Sequence, residues 1–270
     1  MRRAFRLLRP ARPPGARLRA LARALAGLLA CATTMSPARA VTAAELGDFE
    51  ARAEYAFFTE DRHALAELIR AGRALAASGD PRALYQHAFA QFRALQLATW
   101  RGEARLAETA GTACVDTLER ALEQEPRAAE ALALEAACLG YLGATGGLRA
   151  LTARLRGAAR LEAAQALAPG SPRVLLVAAL LGYLSADAPA ERRSGALAQF
   201  ERAATLFDAV SVAAPGEPTW GAAEAWLFVG RAREERHDLL GARNAYEKAL
   251  LVAPDFAAAR RRLAALTGSR

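Results

Sequence analysis

Lysine occurs once in the 270 residues, at Lys248, and cysteine and histidine occur three times each. These shortages remove several kinds of chemistry. A phosphate-cradling loop needs a glycine-rich turn after a strand and a lysine to reach the phosphates; Gly143-Ala144-Thr145-Gly146-Gly147 lacks the lysine and follows a helical stretch. His63, His87 and His237 lie far apart, without the i, i+4 spacing that puts two imidazoles on one metal, and no cysteines have C-x-x-C spacing. Surface or capping roles are expected for all three histidines. Neither G-x-S-x-G nor H-E-x-x-H occurs, so no catalytic residue, metal or cofactor is expected and the chain does not read as an enzyme. Strands are missing too: no run alternates apolar and polar residues between turn signals.

Acidic residues are absent from the first 44 positions. Nine arginines precede Glu45, and the whole chain carries a formal charge of +8, so the part from Val41 onward is close to −1. The basic character belongs to the leader, and an electrostatic footprint for nucleic acid is not expected in the remainder. Residues 1–40 read as an export segment: arginines, an apolar stretch from Ala24 to Met35, then the small-x-small cleavage site Ala38-Arg39-Ala40. That stretch is shorter than the roughly 20 residues needed to span a bilayer. No second long apolar run follows, so no transmembrane helix is expected in the mature chain, 41–270. A periplasmic location is the reading. Leu28-Leu29-Ala30-Cys31 leaves open a lipid anchor at Cys31, Arg2-Arg3-Ala4-Phe5 a twin-arginine signal, and the acid-free leader an organelle transit peptide.

What is present from Val41 to Arg270 is helical periodicity rich in alanine and leucine, which makes the class all-α. Prolines punctuate it. Pro81, Pro126 and Pro169 are 45 and 43 residues apart, and Pro254 follows at about twice that interval with Pro215 near the midpoint. Each proline ends one helix and allows another to begin. Asp80-Pro81 and Ser171-Pro172 suit a cap followed by a first helical position, and Asp238 suits a cap.

The window Ala223 to Phe256 fixes the architecture. Gly230 and Ala242 are small where two helices would cross closely, and Trp226 and Tyr246 would fill the space beside them. Trp226, Gly230, Ala242, Tyr246, Ala249 and Pro254, with Val229 at an aliphatic position, resemble the tetratricopeptide repeat (TPR) family over 34 residues. Arg233 departs from the pattern, where the family has an aromatic or large apolar residue. Leu139-Gly140-Tyr141-Leu142 recurs as Leu181-Gly182-Tyr183-Leu184, which matches Gly140 and Gly182 to Gly230. The longer unit is expected to place its surplus in the turns, around Ala144 to Thr152 and Ser185 to Ser194.

The resemblance implies a right-handed superhelical solenoid of about five helical hairpins with a C-terminal capping helix. It also implies a concave groove that binds a partner protein or peptide. Carried over from the family's inner-facing positions, the candidate binding residues are Leu134, Tyr141, Leu176, Tyr183, Leu227, Arg231 and Glu234. Both tyrosines equally suit packing between successive hairpins. A second function stands beside the scaffold: a transport component that encloses a small hydrophobic ligand. Trp100 and Trp220 read as loop staples or as covers over the groove. Glu45, Asp48, Glu50 and Glu54 read as a solvated helix face. Cys114 and Cys138 could bridge in an exported protein, but Cys114 sits at a small crossing position, which favours buried free thiols.

Overall fold

The computed structural model describes residues 40–144, 147–184, 190–209 and 214–268, apart from the side chains of 147, 184 and 190–194. The leader features, Cys31 among them, lie outside the described residues, as do parts of the two turns expected to hold the surplus length. The described residues form α1 (Ala43–Phe58), α2 (Arg62–Ala76), α3 (Pro81–Trp100), α4 (Ala104–Gln124), α5 (Ala129–Gly143), α6 (Gly147–Leu167), α7 (Pro172–Leu184), α8 (Ala190–Ala209), α9 (Ala222–Glu235), α10 (Leu239–Val252) and α11 (Ala257–Gly268). No strand occurs among them. Consecutive helices pair as five hairpins, and α11 packs on α10.

Local chemistry sets the helix starts. Thr42 and Glu45 form a capping box on α1, and Asp61 accepts from the Ala64 N–H at the start of α2. Asp80 accepts from the Arg82 N–H with Pro81 already in the helix, Ser171 Oγ accepts from the Val174 N–H, and Asp238 accepts from the Gly241 N–H. Each bond satisfies a donor that helix geometry leaves open. Glycine is required at the entry to α9. Gly221 has φ 116°, and a Cβ there would lie 2.6 Å from the Phe207 ring.

The last hairpin crosses as its sequence suggests: a Cβ at Gly230 would stand 2.3 Å from the Tyr246 ring. Its upstream counterparts differ. At Gly140 a Cβ would strike Leu181 of the next hairpin, whereas the α5–α6 crossing is made by Gly157 against Ala136 and Leu139. Gly182 has nothing within 4 Å of that position. The surplus length is also placed differently from expectation. The second helices α4, α6 and α8 are 21, 21 and 20 residues long against 14 in α10. Helix-forming sequence around Leu148 to Thr152 continues α6 towards its N-terminus instead of making a longer turn.

Cys114 in α4 and Cys138 in α5 are joined as a disulfide, and both are fully buried. The free-thiol reading is therefore corrected. The small crossing position admits the bridge because the neighbouring helix, from the next hairpin, carries the other sulfur. Arg233, the departure from the repeat pattern, reaches sideways and pairs with Glu201 of α8 at 2.6 Å.

The first helices α1, α3, α5 and α7 pack in sequence to form the inner layer. Among these, α3 is buried on nearly every side. Its apolar sides are Ala, Leu and Phe, as a helix enclosed all round requires. It also carries Gln86, His87, Gln91, Arg93 and Gln96 inward, all buried. The array's end returns to its beginning: Phe256, just before α11, lies 5.9 Å from Phe57 and 4.6 Å from Phe58 between ring centroids.

Candidate functional site

The inner face of the first three hairpins is occupied by the chain itself. Residues 214–221 run across it and bring Trp220 against α3. The Trp220 ring stacks on Phe89 at 5.4 Å, and its Nε1 donates to Tyr85 Oη at 2.8 Å. Glu50 of α1 anchors the backbone of this strap. Its Oε1 accepts from Thr219 N at 2.6 Å, Thr219 Oγ1 at 2.9 Å and Trp220 N at 3.0 Å. Its Oε2 accepts from Gln86 Nε2.

Beneath the strap lies a charged cluster. Arg93 has no exposed surface; it pairs with Glu54 at 3.1 Å and with Glu224 of α9, and donates to Gln96 Oε1 at 2.9 Å. The rings of Phe57, Phe89 and Trp220 lie 4.2, 4.6 and 5.6 Å from its guanidinium carbon. A planar, weakly hydrated cation suits such a place, because rings and carboxylates together replace its water. Burial pushes the Glu54 carboxyl up to about 8, with the charges of Glu224 and Glu50 adding to the rise and Arg93 opposing it. This corrects two sequence readings. Glu50 and Glu54 face inward rather than solvent, and His87 is not at the surface: it is buried, with Nε2 3.1 Å from the Ile69 carbonyl and its protonation disfavoured by desolvation. His63 is exposed beside Glu67, and His237 sits in the α9–α10 turn with φ 60°.

The candidate residues from sequence divide into two groups. Leu134, Tyr141, Leu176 and Tyr183 are 0, 5, 2 and 7 % exposed. Tyr141 lies edge-on to Phe92 and accepts from Gln96 Nε2 at 3.5 Å. Tyr183 packs edge-on to Phe200 and Phe228 and donates to Glu235. Burial raises the pKa of both phenols. These four side chains hold hairpins together where the repeat pattern alone would present a groove.

Leu227 and Arg231 instead reach a cavity of about 350 Å³ that they share with Trp100, Ala258, Arg261 and Arg262. Glu234 stands behind it, accepting from Tyr246 Oη at 2.6 Å and from Arg262 at 3.4 Å. Arg261 pairs with Glu60 of the α1–α2 turn. The Arg231 guanidinium lies over Phe228 at 5.3 Å and Tyr183 at 5.6 Å, and has no carboxylate partner among the described residues. This mouth combines an indole, aliphatic carbon and three guanidinium groups, so it offers an apolar floor with positive charge around it. Trp100, read from sequence as a loop staple or a cover over the groove, ends α3 at this mouth, whereas the arginines of α11 were not singled out by sequence. Their only signal was the run Arg260-Arg261-Arg262 on a helix expected to cover the last hairpin.

A second cavity, of about 360 Å³, lies where the strap passes the N-terminal ends of α3 and α5. Among the described residues no group of three or more histidine, cysteine, aspartate or glutamate side chains is placed to hold a metal ion, and no helix is long and apolar enough to cross a membrane.

No family model and no curated protein matches the chain. Among solved structures, the chain is similar to a thermophilic TPR protein of Thermus thermophilus. That likeness has a TM-score of 0.53 and 18% sequence identity, and it covers 82% of this chain and 98% of that one. With five hairpins, a closing helix and that structural neighbour, the chain has the tetratricopeptide-type fold, an all-α right-handed superhelical solenoid.

Proposed function

We propose that this chain is an exported, non-catalytic scaffold of the bacterial envelope that holds a partner protein by an acidic segment bearing apolar side chains. The observation that carries the reading is Arg231. It is a guanidinium without a carboxylate partner among the described residues, opening with Trp100, Leu227, Arg261 and Arg262 onto one mouth of the inner face. A carboxylate from the partner supplies the missing charge, and its neighbouring side chain covers the indole. Export is supported by the leader and by the Cys114–Cys138 disulfide, because disulfides persist in oxidising compartments. Lipidation at Cys31 is the other form of the same localisation, and mapping the mature N-terminus separates the two. The enclosed-ligand reading gains nothing from the inner layer, where Arg93, Phe89, Phe92 and Trp220 fill the space beneath the strap.

The test is a photo-cross-linker at Ala258 in cells expressing the chain with its own leader. The expected adduct maps to an acidic segment of one protein and disappears in Arg231→Glu, which keeps the wild-type helical melt. An adduct at a segment without acidic residues, or one that survives the charge reversal, overturns the reading.

A further inference from the structure

Helix α6 packs through its small residues. Among its described residues those buried are Ala150, Ala153, Gly157 and Ala164, and Gly157 is the one that meets Ala136 and Leu139 of α5. Its large residues turn the other way: Leu148, Leu151 and Leu155 are 84, 51 and 65 % exposed. The second helices on either side bury large residues, Val115, Leu118 and Leu122 in α4 and Leu197 and Phe200 in α8. A helix on the outside of a water-facing array keeps its apolar stripe on the core. In α6 the core stripe is alanine and glycine, and the leucines, spaced i, i+3 and i+7, form a second apolar row on the opposite side.

The flanks of that row are basic. Four arginines, Arg149, Arg154, Arg156 and Arg160, stand in α6 against one acid, Glu162. Arg149, Arg156 and Arg160 recur at i, i+7 and i+11, which sets them along one flank of the leucines. Arg149 is exposed and has no carboxylate partner among the described residues, and Arg154, on the other flank, donates to the Gly143 carbonyl at 2.7 Å. Arg156 and Arg160 share the buried Glu135 at 3.2 and 2.9 Å, and Arg156 also reaches Glu119 of α4. Neither of the two cavities is lined by α6. Leucines outermost with guanidinium groups set back on both flanks is the arrangement in which an amphipathic helix lies at a bilayer interface: the apolar row enters the acyl boundary and the cations stay with the phosphates.

We propose that α6 is a membrane-contacting helix that lies against an anionic lipid surface, with Leu148, Leu151 and Leu155 entering the headgroup boundary and Arg149 and Arg156 meeting lipid phosphates. The contact is peripheral, since no described helix is long and apolar enough to cross a bilayer. It uses none of the residues of the basic mouth, so it stands or falls separately from partner docking there.

Flotation of residues 41–270, which hold every described helix and omit the basic leader, tests the contact on vesicles of phosphatidylglycerol with phosphatidylethanolamine, with phosphatidylcholine vesicles as the zwitterionic surface. Binding to the anionic vesicles alone is expected, and it falls as salt is raised. Leu148→Ser/Leu155→Ser changes two exposed side chains, is expected to keep the native helical melt, and weakens binding about tenfold or more. Arg149→Gln is expected to weaken it about fivefold. A photo-cross-linker at the exposed Ala159 in cells is expected to give a lipid adduct. No binding to the anionic vesicles, equal binding to phosphatidylcholine, or unchanged affinity in either variant each overturns the inference. So does a protein adduct at Ala159, which would give the face to a protein partner or to a second copy of this chain.

Discussion

Trp220 donates its backbone N–H to the Glu50 carboxylate at 3.0 Å across 170 positions of sequence. A solenoid built from neighbour-to-neighbour contacts has no need of such a bond. Here it fastens the strap before the fifth hairpin to the first helix, and the array's inner face is filled as a result. Glu50→Ala leaves the buried Trp220 N–H and the part-buried Thr219 donors without their acceptor. A loss of about 2–4 kcal/mol in urea denaturation is expected, and Trp220→Ala is expected to cost about 3–5 kcal/mol. A change below about 0.5 kcal/mol in both would show that the strap does not rest on Glu50 and α3.

Arg93 answers two acidic side chains from two different helices, Glu54 of α1 and Glu224 of α9. Removing the cation strands both. Arg93→Met is expected to destabilise by roughly 3–5 kcal/mol, and adding Glu224→Leu to recover part of that loss, since breaking a buried pair costs more than replacing it whole. A double-mutant cycle with no coupling between the two positions would contradict the pairing.

The raised Glu54 carboxyl makes stability depend on pH in a particular direction. Its folded value, about 8, is above the ordinary 4.5, so between those values the folded chain holds a proton that the unfolded chain has lost. Stability from this group is therefore complete below about pH 4.5 and is lost as pH rises through about 8. Glu54→Gln cannot titrate. Melting curves across pH 5 to 8 are expected to show a smaller decline in the variant than in the native chain; equal declines would remove Glu54 from the account.

The disulfide between α4 and α5 closes a loop of sequence separation 24, for which chain entropy gives about 3–4 kcal/mol. Alkylation of the denatured mature chain without reductant should leave Cys114 and Cys138 unmodified in peptide mapping, and reduction should make both react. Cys114→Ala/Cys138→Ala is expected to fold with a lower melting temperature. Modification of either cysteine before reduction would return them to free thiols.

The fifth hairpin was legible because Gly230, Tyr246 and Pro254 act within 34 residues, where sequence spacing determines contact. Glu50 and Glu54 were not. Two carboxylates at i, i+4 look the same on a solvated face as on a face whose partners are Trp220 and Arg93, and nothing near them in sequence names those partners. Arg93 within an apolar helix was the available clue, and it becomes meaningful only once α3 is known to be central. The lengthened units were recognised from Gly140 and Gly182, but alanine-rich sequence after Gly147 suits a turn's insertion and a helix's extension alike. Tyr141 and Tyr183 are buried against Phe92 and Gln96 in one case and Phe228 and Glu235 in the other, partners at least 45 positions away in sequence.

Whether that inner face is closed decides where a partner can bind. Hydrogen exchange of the peptide covering residues 214–221 in the native mature chain measures this directly. The Thr219 and Trp220 amides are expected to exchange as slowly as those of central α3, opening only with global unfolding. Exchange of these two amides at the rate of a free loop, with α3 still protected, would contradict a closed inner face and return the groove to an incoming peptide.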